Sequence, residues 1–291
     1  YGDELSTLTA FYYGFVNGET PDNLSSLPSF VADGSGVGTH ALTLQGATSN
    51  NYDFNYVDGT VTIDPATVIV TADAKTKVYG TENPDLTESY FGFVNGETSD
   101  VLTAAPALTT SADITSDAGF NLIFATGAEA ANYVFVYEAG VLTITPASLT
   151  ITADDATIIY GAGPTLTASY TGFVNGDGLD NVTLLPYFTT TAVGSDVGTY
   201  AITPYDAEVP NFVPNYTITY QPGTLTILPA PLVISADLLM EYGGNVPELF
   251  PTVDGLVNGD TINSLTTAPT LSTTVTSDSE VGEYVVDVSG A

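Results

Sequence analysis

Asn215-Tyr216-Thr217-Ile218-Thr219-Tyr220-Gln221-Pro222-Gly223-Thr224-Leu225-Thr226-Ile227 alternates apolar and polar residues with a period of two. An extended chain points successive side chains to opposite faces, and β-branched threonine suits the pleat while its hydroxyl faces water, so the stretch reads as half-buried strands. Tyr216, Ile218 and Tyr220 share the core face; Thr217 and Thr219 share the solvent face. The same stretch runs from Asn51 to Ile63, with Tyr52, Phe54 and Tyr56 against Asp53 and Asn55, and from Asn132 to Ile144. In that middle copy Val134 and Val136 fall on the second face, which calls for a neighbour covering it there.

Working outward, each copy ends in Pro-Ala, at Pro65-Ala66, Pro146-Ala147 and Pro229-Ala230. A second mark, Tyr-Gly, stands at Tyr1-Gly2, Tyr79-Gly80, Tyr160-Gly161 and Tyr242-Gly243, spaced by 78, 81 and 82 residues. A third, Gly14-Phe15-Val16-Asn17-Gly18, returns at 92–96 and 172–176, and as Gly255-Leu256-Val257-Asn258-Gly259. Three marks in constant order define a tandem array of one module. Proline stiffens the exit from a final strand and removes a donor, so the Pro-Ala pairs are the natural seams. The modules are then 1–65, lacking its first strand; 66–146 and 147–229, both complete; and 230–291, lacking its closing strands. A chain that starts and stops inside a module is expected to be a window on a longer polypeptide.

Asn-Gly at Asn17, Asn95-Gly96, Asn175-Gly176 and Asn258-Gly259 supplies two residues that tolerate positive φ, which ends a strand sharply. After it, Thr20 to Leu24, Thr98 to Leu102 and Thr261 to Leu265 read as short helical turns, each with an N-cap threonine and one buried leucine. The module order becomes strand, strand, helical turn, strand, strand, long closing strand. The fold class is all-β or β-rich, a tandem array of small modules, each a reduced β-grasp or a small β-sandwich.

Composition limits the partners. Thirty-four acidic residues stand against Lys75 and Lys77, a net charge of −32. With no basic patch to neutralise phosphate, nucleic acid and anionic lipid are excluded. Hydrophobic residues nevertheless make up 44% of the chain and charged residues only 12%, enough apolar matter for packed modules. There is no cysteine, hence no disulfide or thiol chemistry, and no apolar run is long enough for a membrane span.

The Tyr-Gly mark, the Gly-Phe-Val-Asn-Gly-acid box, the Val-Gly-Thr-Tyr segment (Val197 to Tyr200, with Val37-Gly38-Thr39-His40 and Val281-Gly282-Glu283-Tyr284) and the Asn-Tyr to Gly-Thr-Leu-Thr-Ile ending resemble the mostly-β, glycine-rich (MBG) repeat of the Tyr-Gly type. The resemblance covers essentially the whole chain and rests on structural rather than active-site signatures. It implies a repeat of large secreted bacterial surface proteins and adhesins, strung between an export signal and a surface-attachment region. The second module departs from it, with Asp117-Ala118-Gly119-Phe120 where Val-Gly-Thr-Tyr is expected.

Reactive constellations are sparse. His40, the single histidine, occupies the place of Tyr200 and Tyr284 and reads as a tyrosine substitute, since a catalytic base needs a positioned partner. No Gly-x-Ser-x-Gly elbow is present, and Gly34-Ser35-Gly36 lacks the lysine and following helix of a phosphate loop. Close carboxylate pairs arise from acid content alone, so no glycosidase is read from them. An enzyme is not expected. Calcium is the one cofactor weighed, with Asp73, Asp154, Asp155 and Asp237 as candidate ligands, although no EF-hand loop occurs. The competing reading makes Asp73, Asp154 and Asp237 strand-end turn residues, and makes Glu19, Glu97, Asp177 and Asp260 helix-start carboxylates facing exposed N–H groups. Tyrosines needed in every copy read as core; Tyr12, Tyr13, Tyr187 and Phe188 are the candidates for exposed aromatics. Lys75 and Lys77 occur in one module only, so a Lys–Asn staple cannot stabilise the array, and both read as solvated strand residues.

Two functions follow. The first is a structural stalk or fibre on the bacterial cell surface that spaces a distal binding region, its partners being further copies of the repeat, in a single tether or a homopolymer. The second is an array of weak glycan- or protein-binding sites acting through avidity. Scaffold positions recur while loops 33–38, 109–117 and 204–214 differ, which favours the stalk.

Overall fold

The computed structural model describes residues 1–4, 8–192, 194–209 and 214–290; within the variable 204–214 loop, residues 210–213 lie outside the described residues. The chain divides into two compact units, Tyr1–Pro146 and Ala147–Ala291.

In the first unit, β1 (Ser29–Ala32), β2 (Gly38–Gln45) and β3 (Gly59–Ile63) form an antiparallel sheet in that order. Seven strands follow: β4 (Ala66–Ala72), β5 (Lys75–Val78), β6 (Glu88–Phe91), β7 (Ala107–Thr110), β8 (Gly119–Thr126), β9 (Tyr133–Glu138) and β10 (Gly140–Thr145). They build a three-stranded sheet, β6-β4-β9, and a four-stranded sheet, β5-β10-β8-β7. The opening strand and the closing strand of the module lie side by side and parallel, Ala66 opposite Tyr133 and Thr145 opposite Val78. That parallel first-and-last pair is the β-grasp arrangement, with a three-residue 3-10 turn where a grasp carries its helix. Breaks after Ala72 and Glu138 split the pair between two sheets. At the second break a Cβ on Gly140 would sit 2.3 Å from the Ala72 carbonyl oxygen, so only glycine lets the strands approach.

The second unit repeats the plan. Strands β11 (Ala147–Ala153), β12 (Ala156–Ile159), β13 (Ala168–Thr171), β14 (Tyr187–Thr189), β15 (Gly198–Tyr205), β16 (Tyr216–Gln221) and β17 (Gly223–Leu228) form sheets β13-β11-β16 and β12-β17-β15-β14. Then come β18 (Val233–Ser235) with β19 (Thr252–Asp254), and β20 (Thr270–Thr273) with β21 (Val286–Ser289).

The inward rows make the cores. Val68 and Val70 of β4 pack with Ala125 and Tyr133, and Ile202 of β15 packs with Ala153, Leu225 and Ile227. On β16, Tyr216 is buried, Ile218 and Tyr220 are half-buried and Thr217 and Thr219 exposed, as the alternation predicts. Val134 and Val136 differ from expectation: they are 47% and 50% exposed, so no described residue covers that face.

Register also revises the place where the second module departs from its fellows. Tyr200 pairs with Leu225 two residues after Gly198, and the residue that pairs with Leu142 two after Gly119 is Asn121. The segment equivalent to Val-Gly-Thr-Tyr is therefore Ala118 to Asn121. Phe120 takes an outward threonine's place, and is 81% exposed.

The helical turns are 3-10 turns at Pro21–Asn23, Ser99–Val101, Leu179–Asn181 and Ile262–Ser264. Thr98 and Thr261 cap them by accepting from Asp100 N and Asn263 N. The third escapes a threonine-based reading because Gly178 stands at its start, with its N–H donating to Asn181 Oδ1 at 2.9 Å. Leu24, Leu102 and Leu265 follow their turns and are half-buried rather than buried.

Lys77 is the clearest correction. It is 6% exposed, and its Nζ donates to the carbonyls of Thr81 (3.1 Å) and Asp113. By register it takes the core position that Ile158 holds in the next module, Lys77 lying opposite Ile144 and Ile158 opposite Ile227. A long aliphatic stem fills the site while the ammonium finds carbonyls beyond it. Lys77→Ala should therefore lower unfolding free energy by about 2–4 kcal/mol, from lost packing and unpaired carbonyls. Lys77→Ile should cost distinctly less; urea denaturation of the two variants compares them.

Asp206 holds φ 55 at the bend that Gly46 (φ 83) and Gly127 (φ 81) make elsewhere. Left-handed backbone disfavours a side chain, so Asp206→Gly should raise stability by up to about 1 kcal/mol, read as a higher urea midpoint.

Candidate functional site

The marks converge on one structure. In each box the valine carbonyl accepts from the acid's N–H across Asn-Gly: Glu19 N to Val16 O, Glu97 N to Val94 O, Asp177 N to Val174 O and Asp260 N to Val257 O, all 2.9–3.1 Å. Asn17, Asn95, Asn175 and Asn258 lie at φ 55–58 and Gly18, Gly96, Gly176 and Gly259 at φ 74–81. Two consecutive left-handed residues are the signature of a type I′ turn, which asparagine and glycine adopt at least cost. The glycine opening the box approaches backbone: a Cβ on Gly92 would lie 2.5 Å from Thr67 O, and one on Gly172 2.2 Å from Ser148 O.

The Asn-Tyr tyrosine locks this turn. Tyr133 Oη accepts from Val94 N (3.2 Å) and donates to Glu97; Tyr216 Oη accepts from Val174 N (3.1 Å) and donates to Asp177 Oδ2 (2.6 Å). In the first module Tyr52 Oη accepts from Val16 N at 3.2 Å. The box phenylalanine meets the tyrosine edge-on, with centroids 5.2–5.7 Å apart for Phe93–Tyr133, Phe15–Tyr52 and Phe173–Tyr216. These acids are thus phenol acceptors, not the helix-start carboxylates expected of them. The helical turns already have threonine or asparagine caps, and the I′ turn aims the carboxylate back at the tyrosine.

Burial and the adjacent Glu97 carboxylate hold the Tyr133 phenol above its ordinary pKa, and the hydrogen bond that Tyr52 donates to the Glu19 carboxylate does the same for Tyr52. The second tyrosine of the strand anchors a different bend: Tyr56, Tyr137 and Tyr220 accept from Ala47 N, Ala128 N and Ala207 N at 2.8–2.9 Å. Tyr79 is buried and Tyr160 half-buried; their N–H groups donate to Thr145 O and Leu228 O at 2.8 Å, and Gly80 and Gly161 follow with positive φ.

The calcium candidates are engaged otherwise. Asp154 accepts from the Thr167 and Ser169 hydroxyls, which hold its pKa below the ordinary value; Asp73 accepts from Thr87, and Asp155 from Thr224 N. Asp73 and Asp154 follow β4 and β11 directly, as strand-end residues, and brace the hairpins to β6 and β13. Asp237 is exposed. Among the described residues no three His, Asp or Glu are placed to hold a metal ion.

His40 stands on β2 opposite Val61, in the register of Tyr200. Its Nε2 lies 2.7 Å from Gly36 O, four residues back, as Tyr200 Oη donates to Asp196 O and Tyr284 Oη to Glu280 O. The carbonyl cannot donate, so Nε2 carries the proton, while Nδ1 is 3.2 Å from Asp33 Oδ1. Among the proposed exposed aromatics, Tyr13 and Tyr187 are exposed, whereas Tyr12 and Phe188 are half-buried.

A cleft of about 810 Å3 in the first module is lined by Phe15, Phe30, Leu42, Tyr52 and Tyr56. Their counterparts in the second module enclose β4. The cleft therefore has the place and lining of a strand, and it lacks the convergent polar groups of a small-molecule site.

A β-rich tandem repeat whose recurring residues secure turns and cores defines the class. The sequence profile of the MBG domain (YGX type) matches residues 1–62, 68–143, 149–226 and 232–291, and the chain belongs to that family. Comparison with curated proteins yields no match. Among the described residues no helix is long and apolar enough to cross a membrane.

The tyrosine ties set an alkaline limit. Burial and the Glu88 hydrogen bond push the Tyr90 phenol up to about 12, against about 10 in an unfolded chain. Between those values the unfolded state holds fewer protons, so stability, complete below pH about 10, should fall as pH rises toward 12. Urea midpoints across that range, with absorbance at the phenolate band, check both the decline and the late-ionising tyrosine.

Proposed function

We propose that this chain is a segment of a structural stalk or fibre on a bacterial cell surface, spacing a distal binding region. The carrying observation is the use made of the recurring residues. Tyrosine, valine, Asn-Gly and acid meet one another in turn locks, and the cleft that Tyr52 also lines lacks convergent polar groups, so what repetition preserves is the module. Tandem modules joined by a single Pro-Ala seam suit a spacer, and a net charge of −32 limits collapse and self-aggregation. No enzymatic activity belongs to this reading.

The avidity alternative requires a binding surface common to the modules. The outward row of the long hairpin strand is Thr39, Ala41, Thr43 in the first module, Phe120, Leu122, Phe124 in the second and Thr199, Ala201, Thr203 in the third. The first and third rows carry the same Thr-Ala-Thr and the second carries three large apolar residues, so this row is not a site common to the array.

In a bacterial host, antibody against these repeats should label intact cells, and deleting whole repeats should reduce access to the distal region without altering its intrinsic ligand affinity. Absence of surface labelling overturns the proposal. This reading gives calcium no structural role, so millimolar calcium and chelator should give the same melting temperature; a reproducible rise with calcium would favour a metal at the Asp73, Asp154, Asp155 or Asp237 positions.

A further inference from the structure

The second module differs from the third on its outside. Its two sheets face each other across Val68, Val70 and Ala125, which leaves one outer face on β5-β10-β8-β7 and another on β6-β4-β9. On the first face the outward row of β8 is Phe120, Leu122 and Phe124, where β15 carries Thr199, Ala201 and Thr203. Beside Leu122 stands Val141, in the place of Thr224. On the second face Phe91, Ile69 and Val136 lie side by side across three strands, where the third module has Thr171, Thr150 and Thr219. Six threonines and one alanine of the third module are thus large and apolar in the second. The inward rows keep their character, Leu142 and Ile144 answering to Leu225 and Ile227, so the core does not require the change.

The β8 row stands in water: Phe120 is 81% exposed, Leu122 49% and Phe124 51%. At about 200 Å2 for a whole ring, the two phenylalanines alone expose about 250 Å2, and Leu122 with Val141 widens this to the few hundred Å2 at which an apolar patch marks an interaction site. Every strand of this module is in place, so the face is the outside of a completed fold and no missing strand accounts for it. The outward rows of its four strands hold no charged residue, in a chain whose net charge is −32.

We propose that the Phe120-Leu122-Phe124 face is an interaction surface for the same face of a second copy of this chain. Charge selects the occupant: acidic surfaces of two copies repel one another, and this face lets them meet without setting carboxylate against carboxylate. The row also reads Phe, Leu, Phe from either end, so it is complementary to itself about a two-fold axis at Leu122, and such an isologous contact closes at two copies. The stripe on β6-β4-β9 suits this less. Its β9 row runs from Val134 and Val136 into Glu138, so pairing it with itself would bring a carboxylate from each copy into the contact. Two β8 faces together bury less than the roughly 1,200 Å2 at which stable interfaces begin, so the dimer is weak, with a dissociation constant on the order of 100 μM.

The inference extends the stalk reading by setting copies side by side, in register at the module that carries the row, but it does not depend on cell-surface display. Sedimentation equilibrium of the whole 291-residue chain, carried into the millimolar range, tests it. The unaltered chain should show a monomer–dimer equilibrium that tightens as added salt screens the acids. Phe120→Thr, Leu122→Ala and Phe124→Thr together install the residues the third module carries there; they should weaken the dimer about tenfold or more without lowering the urea midpoint. Phe120→Thr alone, on a side chain outside the core, should weaken it in the same direction, and Phe91→Thr on the other face should leave it unchanged. A chain that stays monomeric, which would leave the face to a different protein, overturns the inference. So do species larger than a dimer, or dimers as strong in the folded Phe120→Thr and triple variants as in the unaltered chain. None of these affects antibody labelling of cells, which decides the stalk reading separately.

Discussion

A chain with 34 carboxylates and two lysines must satisfy its acids with neutral donors, and the hydroxyl is the donor it uses. Tyr133 and Tyr1 serve Glu97, Tyr216 serves Asp177, Tyr160 serves Asp260, and Thr167 with Ser169 serves Asp154. Each such bond to a charged acceptor is stronger than one between neutral groups. The first three modules then depend on the tyrosine at the core edge. The same hydroxyl accepts the valine N–H, so it fixes both the strand that carries it and the turn that faces it.

The lysines show the converse. With no spare cations to distribute, the chain buries Lys77 among carbonyls rather than pairing it with a surface acid. Among the described residues the acids make no salt bridge apart from the contact of Asp33 with His40, itself dependent on the charge of the ring. The result is a structure whose electrostatics are nearly all of one sign, and whose internal ties are hydrogen bonds rather than ion pairs.

Period two along β16 and β17 was legible because each residue faces either core or water, and the I′ turn was legible because Asn-Gly has few other uses. His40 could be read as a tyrosine substitute from position alone, and its bond to the carbonyl four residues back bears that out. The partners of Glu97 and Asp177 were not legible. They stand 36 and 39 residues from their tyrosines, and only the parallel pairing of first and last strands brings them together. Lys77 was misread for a related reason: its charge argued for solvent, and only the register that sets it opposite Ile144 places it in the core. Phe120 was misplaced by one residue because its segment was aligned by letters without the ladder that fixes its count.

The parallel pairing of the module's first and last strands has a mechanical consequence. The chain enters at the start of the first strand and leaves at the end of the last, at opposite ends of the pair formed by Ala66–Ala72 with Tyr133–Glu138 and by Lys75–Val78 with Gly140–Thr145. Tension applied through the chain therefore loads that ladder in shear. Its hydrogen bonds share the force together and do not peel apart one at a time, so rupture under load is governed by a single high barrier to unfolding.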